Sequence, residues 1–317
     1  MRFEIIWFHL NTPHTPYLIP HTSQMIKEKK NVALSSVLAA VVLTSFKFIV
    51  GIITGSLGIL SEALHSLLDL VAAVVTFFSV RMSDKPADQR HNFGHGKVEN
   101  LSALIQTVLL LVTCCWIFYE GISRIVSGNF HVEVTYWSYI VVVTSIVIDF
   151  TRSRALFRVA KKYNSQALEA DALHFSTDIW SSAAVLVGLI CVDVFDFPYA
   201  DPIAALIVAC IVLYICYKLG RKAIDILLDR APEQTVESVK AILDEHSEIK
   251  EYHNLRVRAS GADTFITFNI HITPNTPFVE IHHFCDHLEK DIKEKIPRSE
   301  IFIHAEPQDE EHNREER

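Results

Sequence analysis

Six apolar runs, each close to the ~20 residues that cross a hydrocarbon core, constrain this chain more than anything else in it. They fall at roughly 32–53, 59–81, 98–120, 134–151, 168–191 and 201–220. Half of the 317 residues are hydrophobic, too many for an ordinary soluble domain of this length. Backbone polar groups inside a bilayer must be satisfied within the segment, so runs of this length read as α-helices. The predicted fold class is an α-helical polytopic membrane protein with six transmembrane helices, followed by a smaller α+β domain.

Runs two and five each carry an anomaly of the same form. Ala63-Leu64-His65-Ser66-Leu67-Leu68-Asp69 and Ala172-Leu173-His174-Phe175-Ser176-Thr177-Asp178 place a His and an Asp four residues apart in apolar surroundings. Positions i and i+4 share one face of a helix. Two such helices brought together offer two imidazole nitrogens and two carboxylates, a set suited to a tetrahedral divalent ion such as Zn²⁺. Mn²⁺, Mg²⁺ and Ca²⁺ want more oxygens, and the absence of Cys disfavours Cu(I). Ionisable groups at membrane depth are costly and mark ion or proton pathways. Lys47, deep in run one, calls for snorkelling or for a carboxylate partner such as Glu62.

Lys and Arg counts orient the runs. Lys27, Lys29 and Lys30 lead in. Arg81, Lys85, Arg90 and Lys97 lie between runs two and three, and Arg152, Arg154, Arg158, Lys161 and Lys162 between four and five. Lys218, Arg221, Lys222 and Arg230 follow run six. The remaining connections hold little beyond Arg124 and the acidic Asp193, Asp196 and Asp201. Both termini are therefore expected in the cytoplasm. Runs two and five are then antiparallel, and equal depth for their pairs requires either helix five to begin earlier, near Tyr163, the expected case, or the two runs to be offset in the bilayer.

The expected domains are a tail over 1–30, a membrane domain over 31–230, a cytoplasmic domain over 231–307 and an acidic tail over 308–317. Pro13, Pro16 and Pro20 break the tail, and Met25, before a basic lead-in, is an alternative start. Beyond Arg230-Ala231-Pro232 the pattern reads helix 233–246, strand 255–259, turn 260–263, strand 264–272, helix to about Lys295 and strand 300–304. A net charge of −8 without a basic patch excludes nucleic acid as a partner. The six cysteines, Cys114, Cys115, Cys191, Cys210, Cys216 and Cys285, form no C-x-x-C pair and read as buried thiols.

Further motifs join the paired ligands: Thr54-Gly55-Ser56-Leu57, the loop Asp88-Gln89-Arg90-His91-Asn92-Phe93-Gly94-His95-Gly96-Lys97, Leu227-Leu228-Asp229-Arg230-Ala231, and Phe302-Ile303-His304-Ala305-Glu306-Pro307. In this order, over residues 30–307, they resemble the cation diffusion facilitator family of metal/proton antiporters. The resemblance assigns the transported metal to His65, Asp69, His174 and Asp178. It implies a second metal site at Asp88, His91 and His95. It also implies a cytoplasmic zinc site near a homodimer interface, at His253, His282, His304 and Glu306. Asn269 stands where the family commonly has a strand His; His271, on the same strand face about 7 Å further on, is the candidate substitute. Lys97 and Asp229 match an interlock between the membrane and cytoplasmic parts.

The function this implies is Zn²⁺/H⁺ antiport by alternating access, exporting zinc from the cytoplasm across a prokaryotic plasma (inner) membrane. Zn²⁺ is then both cargo and regulatory ligand, and the partners are a second copy, protons and lipid. Metal binding needs neutral imidazole and ionised carboxylate, so loading releases protons; a His near its ordinary pKa of ~6.5 titrates in the physiological range. Fe²⁺ or Mn²⁺ export is the alternative within the family, and a metal-sensing membrane scaffold the alternative class. An enzyme is not expected: no His-Glu-x-x-His motif occurs, and four protein ligands leave little room for a reactive water.

Overall fold

The structure, a computed structural model, describes residues 22–55, 57–127, 136–195 and 199–308. The N-terminal tail over 1–21, Ser56, Asp196 and the acidic tail from 309 lie outside the described residues. Six long helices come first: α1 (Thr22–Thr54), α2 (Leu57–Ser83), α3 (Lys97–Ser127), α4 (Tyr136–Tyr163), α5 (Gln166–Phe195) and α6 (Ala200–Leu227). Of these, α1, α2, α3 and α6 are long and apolar enough to cross a membrane. α4 and α5 carry a denser set of ionisable residues, among them Asp149, Arg152, Asp171, His174 and Asp178.

Small residues let the helices close on one another. Ala33 and Ala40 of α1, Ala73 of α2, Ala160 of α4, and Ala167 and Ala172 of α5 form one buried cluster around Leu156, Leu168 and Phe175. α1 packs along α2, and α4 along α5; α3 pairs with α6 through Leu110, Cys114, Ala209, Val212 and Cys216. α2 and α5 touch far more sparsely.

Two of the helix boundaries that differ from the sequence reading bear on the site. α4 continues to Tyr163, so Arg152 is not a loop cation: it is buried at 6% exposure, with its guanidinium 3.5 Å from the Phe175 ring centroid. Helix five begins at Gln166, earlier than 168 but later than Tyr163. The break is Asn164, whose φ of 50° suits an Asn better than most residues.

The C-terminal domain comprises α7 (Glu233–Glu245), β1 (Glu251–Ser260), β2 (Asp263–Ile272), α8 (Phe278–Lys295) and β3 (Ser299–Pro307). β2 is the central strand, antiparallel to β1 and parallel to β3. Ile266, Phe268, Ile270 and Ile272 alternate along β2 and bury against Val239, Ile242 and Leu243 of α7 and Leu288 and Ile292 of α8. The opposite face is left for polar residues. β1 starts four residues before the expected Leu255, which brings His253 onto the sheet; a register irregularity between His253 and Arg256 coincides with Asn254 at φ 53°.

The two domains meet where backbone touches backbone. A Cβ on Gly96 would fall 2.2 Å from the Ser260 carbonyl oxygen, so only glycine fits there. Asn100 Oδ1 accepts from the Gly261 amide at 3.3 Å, and Gly261 itself sits at φ 61° in the β1–β2 turn. The Phe93 and Phe265 rings meet edge-on at 5.2 Å, with Arg258 over Phe93 at 4.2 Å.

Candidate metal transport site

His65 and Asp69 on α2 face His174 and Asp178 on α5, because each pair repeats at helical spacing and the two helices present those stripes to each other. His174 Nε2 lies 3.0 Å from Asp69 Oδ1 and 3.7 Å from Asp178 Oδ2. His65 Nε2 lies 4.0 Å from both Asp69 Oδ1 and Asp178 Oδ1. The ligand atoms of His65, Asp69 and Asp178 all fall within 4.8 Å of one another. His174 is the most enclosed of the four at 4% side-chain exposure, and His65 the most open at 32%. Asp178 Oδ2 is buried without a hydrogen-bond partner among the described residues. Two nitrogens and two carboxylates at this spacing can hold one divalent cation, which would also satisfy that oxygen.

Buried groups around this cluster escaped the sequence reading. Asp149 on α4 lies within electrostatic reach of Asp178 and Asp69, and accepts from Arg152 Nη1 at 3.2 Å. Arg152 Nη2 donates to Ser36 Oγ at 3.2 Å, and Ser36 Oγ donates to Asp171 Oδ2 at 3.2 Å. Asp171 stands three residues before His174, and that i, i+3 spacing in an apolar run was the available signal. Lys29, read as a lead-in cation, is 1% exposed and binds Asp84 and Glu99 at 2.7 Å each. Ser83 and Ser165 also donate to Glu99, so one carboxylate ties α1, α2, α3 and the α4–α5 turn together.

The loop residues converge as expected. Asp88 Oδ1 accepts from the backbone amides of His91 at 2.7 Å and Arg90 at 2.8 Å, and those bonds hold its carboxyl below the usual carboxylate range. His91 Nδ1 lies 3.2 Å from Asp88 Oδ1 and His95 Nε2 3.5 Å from Asp88 Oδ2, with the two rings 4.5 Å apart. His95 is buried and its Nδ1 has no partner among the described residues.

In the C-terminal domain, strand register builds the cluster. His253, Asn269 and His304 lie opposite one another across the three strands, and His271 lies opposite Glu306. Glu306 is the hub, 3.8 Å from His253 Nε2, 3.4 Å from His271 Nε2 and 3.1 Å from His304 Nε2. His271 does join the group: its ring centroid is 5.0 Å from that of His253, and His253, His271 and Glu306 present ligand atoms within 4.8 Å of one another. Asn269 bridges the same cluster, donating to Glu306 Oε1 at 2.9 Å. His282 is not brought in. It sits exposed on α8, 3.7 Å from Asp286, because α8 turns its apolar face to the sheet. Lys97 and Asp229 meet at 2.8 Å, with Arg258 3.7 Å from the second Asp229 oxygen.

A helical membrane domain with metal-type ligands converging between two of its helices, joined to an α/β domain with its own His/Glu cluster, defines a membrane protein that handles metal cations. Residues 33–228 match the cation efflux transmembrane domain, and residues 231–308 match the cytoplasmic domain of cation efflux proteins. The chain belongs to this cation efflux (cation diffusion facilitator) family. Among similar proteins, the cation-efflux pump FieF of Klebsiella pneumoniae is 34% identical over 257 residues, covering 80% of this chain and 84% of its own. FieF of Cronobacter sakazakii is 32% identical over 276 residues, covering 87% and 91%. A solved structure of CzrB, named there as a candidate zinc transporter, is 32% identical over 25% of this chain and 98% of its own, with a TM-score of 0.24.

Proposed function

We propose that this multi-pass membrane cation-efflux protein is a homodimeric Zn²⁺/H⁺ antiporter. It loads zinc from the cytoplasm, passes it between α2 and α5 by alternating access, and releases it on the far side of a prokaryotic inner membrane. Both termini and the C-terminal domain lie in the cytoplasm. The observation that carries this reading is the convergence of His65, Asp69, His174 and Asp178 into one nitrogen–oxygen set without a thiolate.

The same four groups are the proton carriers. A divalent ion needs imidazoles neutral and carboxylates ionised, so binding expels protons and proton arrival expels metal. His65 is the more open imidazole and His174 the more enclosed, so the two meet protons from different surroundings. The loop cluster at Asp88, His91 and His95 and the sheet cluster at His253, His271 and Glu306 are metal-responsive sites on the cytoplasmic side. His304 adds a further donor to the latter. The Lys97–Asp229 pair keeps the C-terminal domain in register with α3.

The test is uptake into proteoliposomes under an imposed pH gradient, with Zn²⁺, Cd²⁺, Mn²⁺, Fe²⁺ and Co²⁺ in parallel. Zinc uptake that rises with the gradient and is lost in His174→Ala is expected. Undiminished zinc uptake in His174→Ala, or preferential uptake of Fe²⁺ or Mn²⁺, overturns the reading.

A further inference from the structure

Lys47 projects from α1 into the α2 stripe that supplies half of the transport ligands. It is 4% exposed, and its ammonium donates to Glu62 Oε2 at 3.1 Å and to Ser66 Oγ at 2.8 Å. Glu62 lies three residues before His65, Ser66 directly after it, and Asp69 three residues beyond Ser66. Residues three and four apart are neighbours on a helix, so these groups share one side of α2. Thr44 Oγ1 donates to the Ser66 carbonyl at 3.0 Å and fixes this stretch of α2 against α1.

The pair is lopsided. The Lys47 side chain is 5% exposed and that of Glu62 48%. The cation sits inside, bonded to the residue that follows His65, with its neutralising anion at the edge. A pair serving only packing has no need to aim a fixed positive charge at a cation site, because charge at membrane depth is expensive. Like charges repel strongly where little water screens them. A site that binds a divalent ion too tightly cannot release it.

We propose that Lys47 is a positioning residue for the transport cycle: a tethered cation that lowers the affinity of the His65/Asp69/His174/Asp178 site so that the divalent ion can leave, held at its distance by Glu62 and Ser66. This rests on the reading of those four residues as the transport site. Removing the Lys47 charge tightens the site and slows release. Removing the Glu62 charge unmasks the ammonium and weakens the site. Ser66→Ala keeps the charge but frees the ammonium to approach Asp69, and also weakens it.

The experiment is zinc uptake by the full-length protein in proteoliposomes, resolved into KM and maximal rate. Lys47→Gln is expected to lower KM about ten-fold and to lower the maximal rate with it. Lys47→Arg stays near wild type, Glu62→Gln and Ser66→Ala raise KM, and Lys47→Gln/Glu62→Gln returns toward wild type. A disrupted structural pair would move both single variants in the same direction. A raised or unchanged KM in Lys47→Gln overturns the proposal. If Lys47→Gln folds but does not transport, it must carry an Asp69-dependent zinc ion through gel filtration; absence of that ion also overturns it. If Lys47→Gln does not fold, Ser66→Ala decides, and an unchanged KM there refutes the idea. Wild-type kinetics in Asp69→Asn would sink the transport-site reading instead, a separate outcome.

Discussion

His174 Nε2 stands 3.0 Å from Asp69 Oδ1 on the neighbouring helix, closer than the 3.7 Å to Asp178 on its own helix. The ligand set is therefore knit across α2 and α5 more tightly than along either one. Asp69→Asn keeps the shape of the side chain and removes the charge. Zinc uptake in proteoliposomes is expected to fall by at least about 100-fold, more than the loss of an outer supporting group would cause. Thermal unfolding should be little changed, since Asn still offers His174 a hydrogen-bond partner.

In the sheet, Asn269 sits between His253 and His304 in a row of cross-strand partners, and His271 is one pleat repeat away. We expect His271→Ala to weaken metal binding by the C-terminal domain about 10- to 100-fold. Asn269→His completes the histidine row and should raise the zinc count per chain by one. Isothermal titration of the full-length protein, with Asp69→Asn and His91→Ala in all samples, reads both changes.

Gly96 packs its backbone directly against Ser260 of the C-terminal domain. Gly96→Ala places a methyl group against the rigid Ser260 carbonyl, and the β1–β2 turn must move. Overpacking of this kind costs about 1–3 kcal/mol. Limited proteolysis at the domain junction should accelerate, while the circular dichroism of the helices is retained.

Asp88 answers the question of how acid affects the loop. Its carboxyl is held below the ordinary range by the amides of His91 and then Arg90. A depressed carboxylate stabilises its surroundings at pH above its unfolded value, and that contribution is lost only as pH falls through the lower folded value. The Asp88-capped turn should therefore stay formed from neutral pH down to about 4. Amide chemical shifts of Arg90 and His91 in the detergent-solubilised protein measure this; movement between pH 7 and 5 in metal-free Asp88 wild type, absent from Asp88→Asn, would contradict it.

The meeting of His65, Asp69, His174 and Asp178 was legible because a polar pair at i, i+4 inside an apolar run has few other readings. The α-β-β-α-β order was legible because β2 alternates cleanly from Ile266 to Ile272. Arg152 was not: it follows an apolar run beside other cations, and only the continuation of α4 to Tyr163 shows that it is interior. Asp149 pairs with Arg152 three residues on, but its nearness to the carboxylates of α2 and α5 comes only from packing, as does the bond from Ser36 on α1 to Asp171. Where His282 would stand was not legible, because spacing does not say which face of α8 meets the sheet.

The sparse meeting of α2 and α5 has a mechanical side. Their neighbours clasp them with small apolar residues, α1 on α2 and α4 on α5, whereas the sparser seam between them holds the four candidate ligands. On the proposed function, the cargo would double as mortar. On the proposed cycle, an ion seated there would add to the 3.0 Å bridge between His174 and Asp69 and to the apolar cluster that α2 and α5 share, and its departure would remove that added tie. In such a machine the passenger sets the stiffness of the vehicle, and each transit resets it.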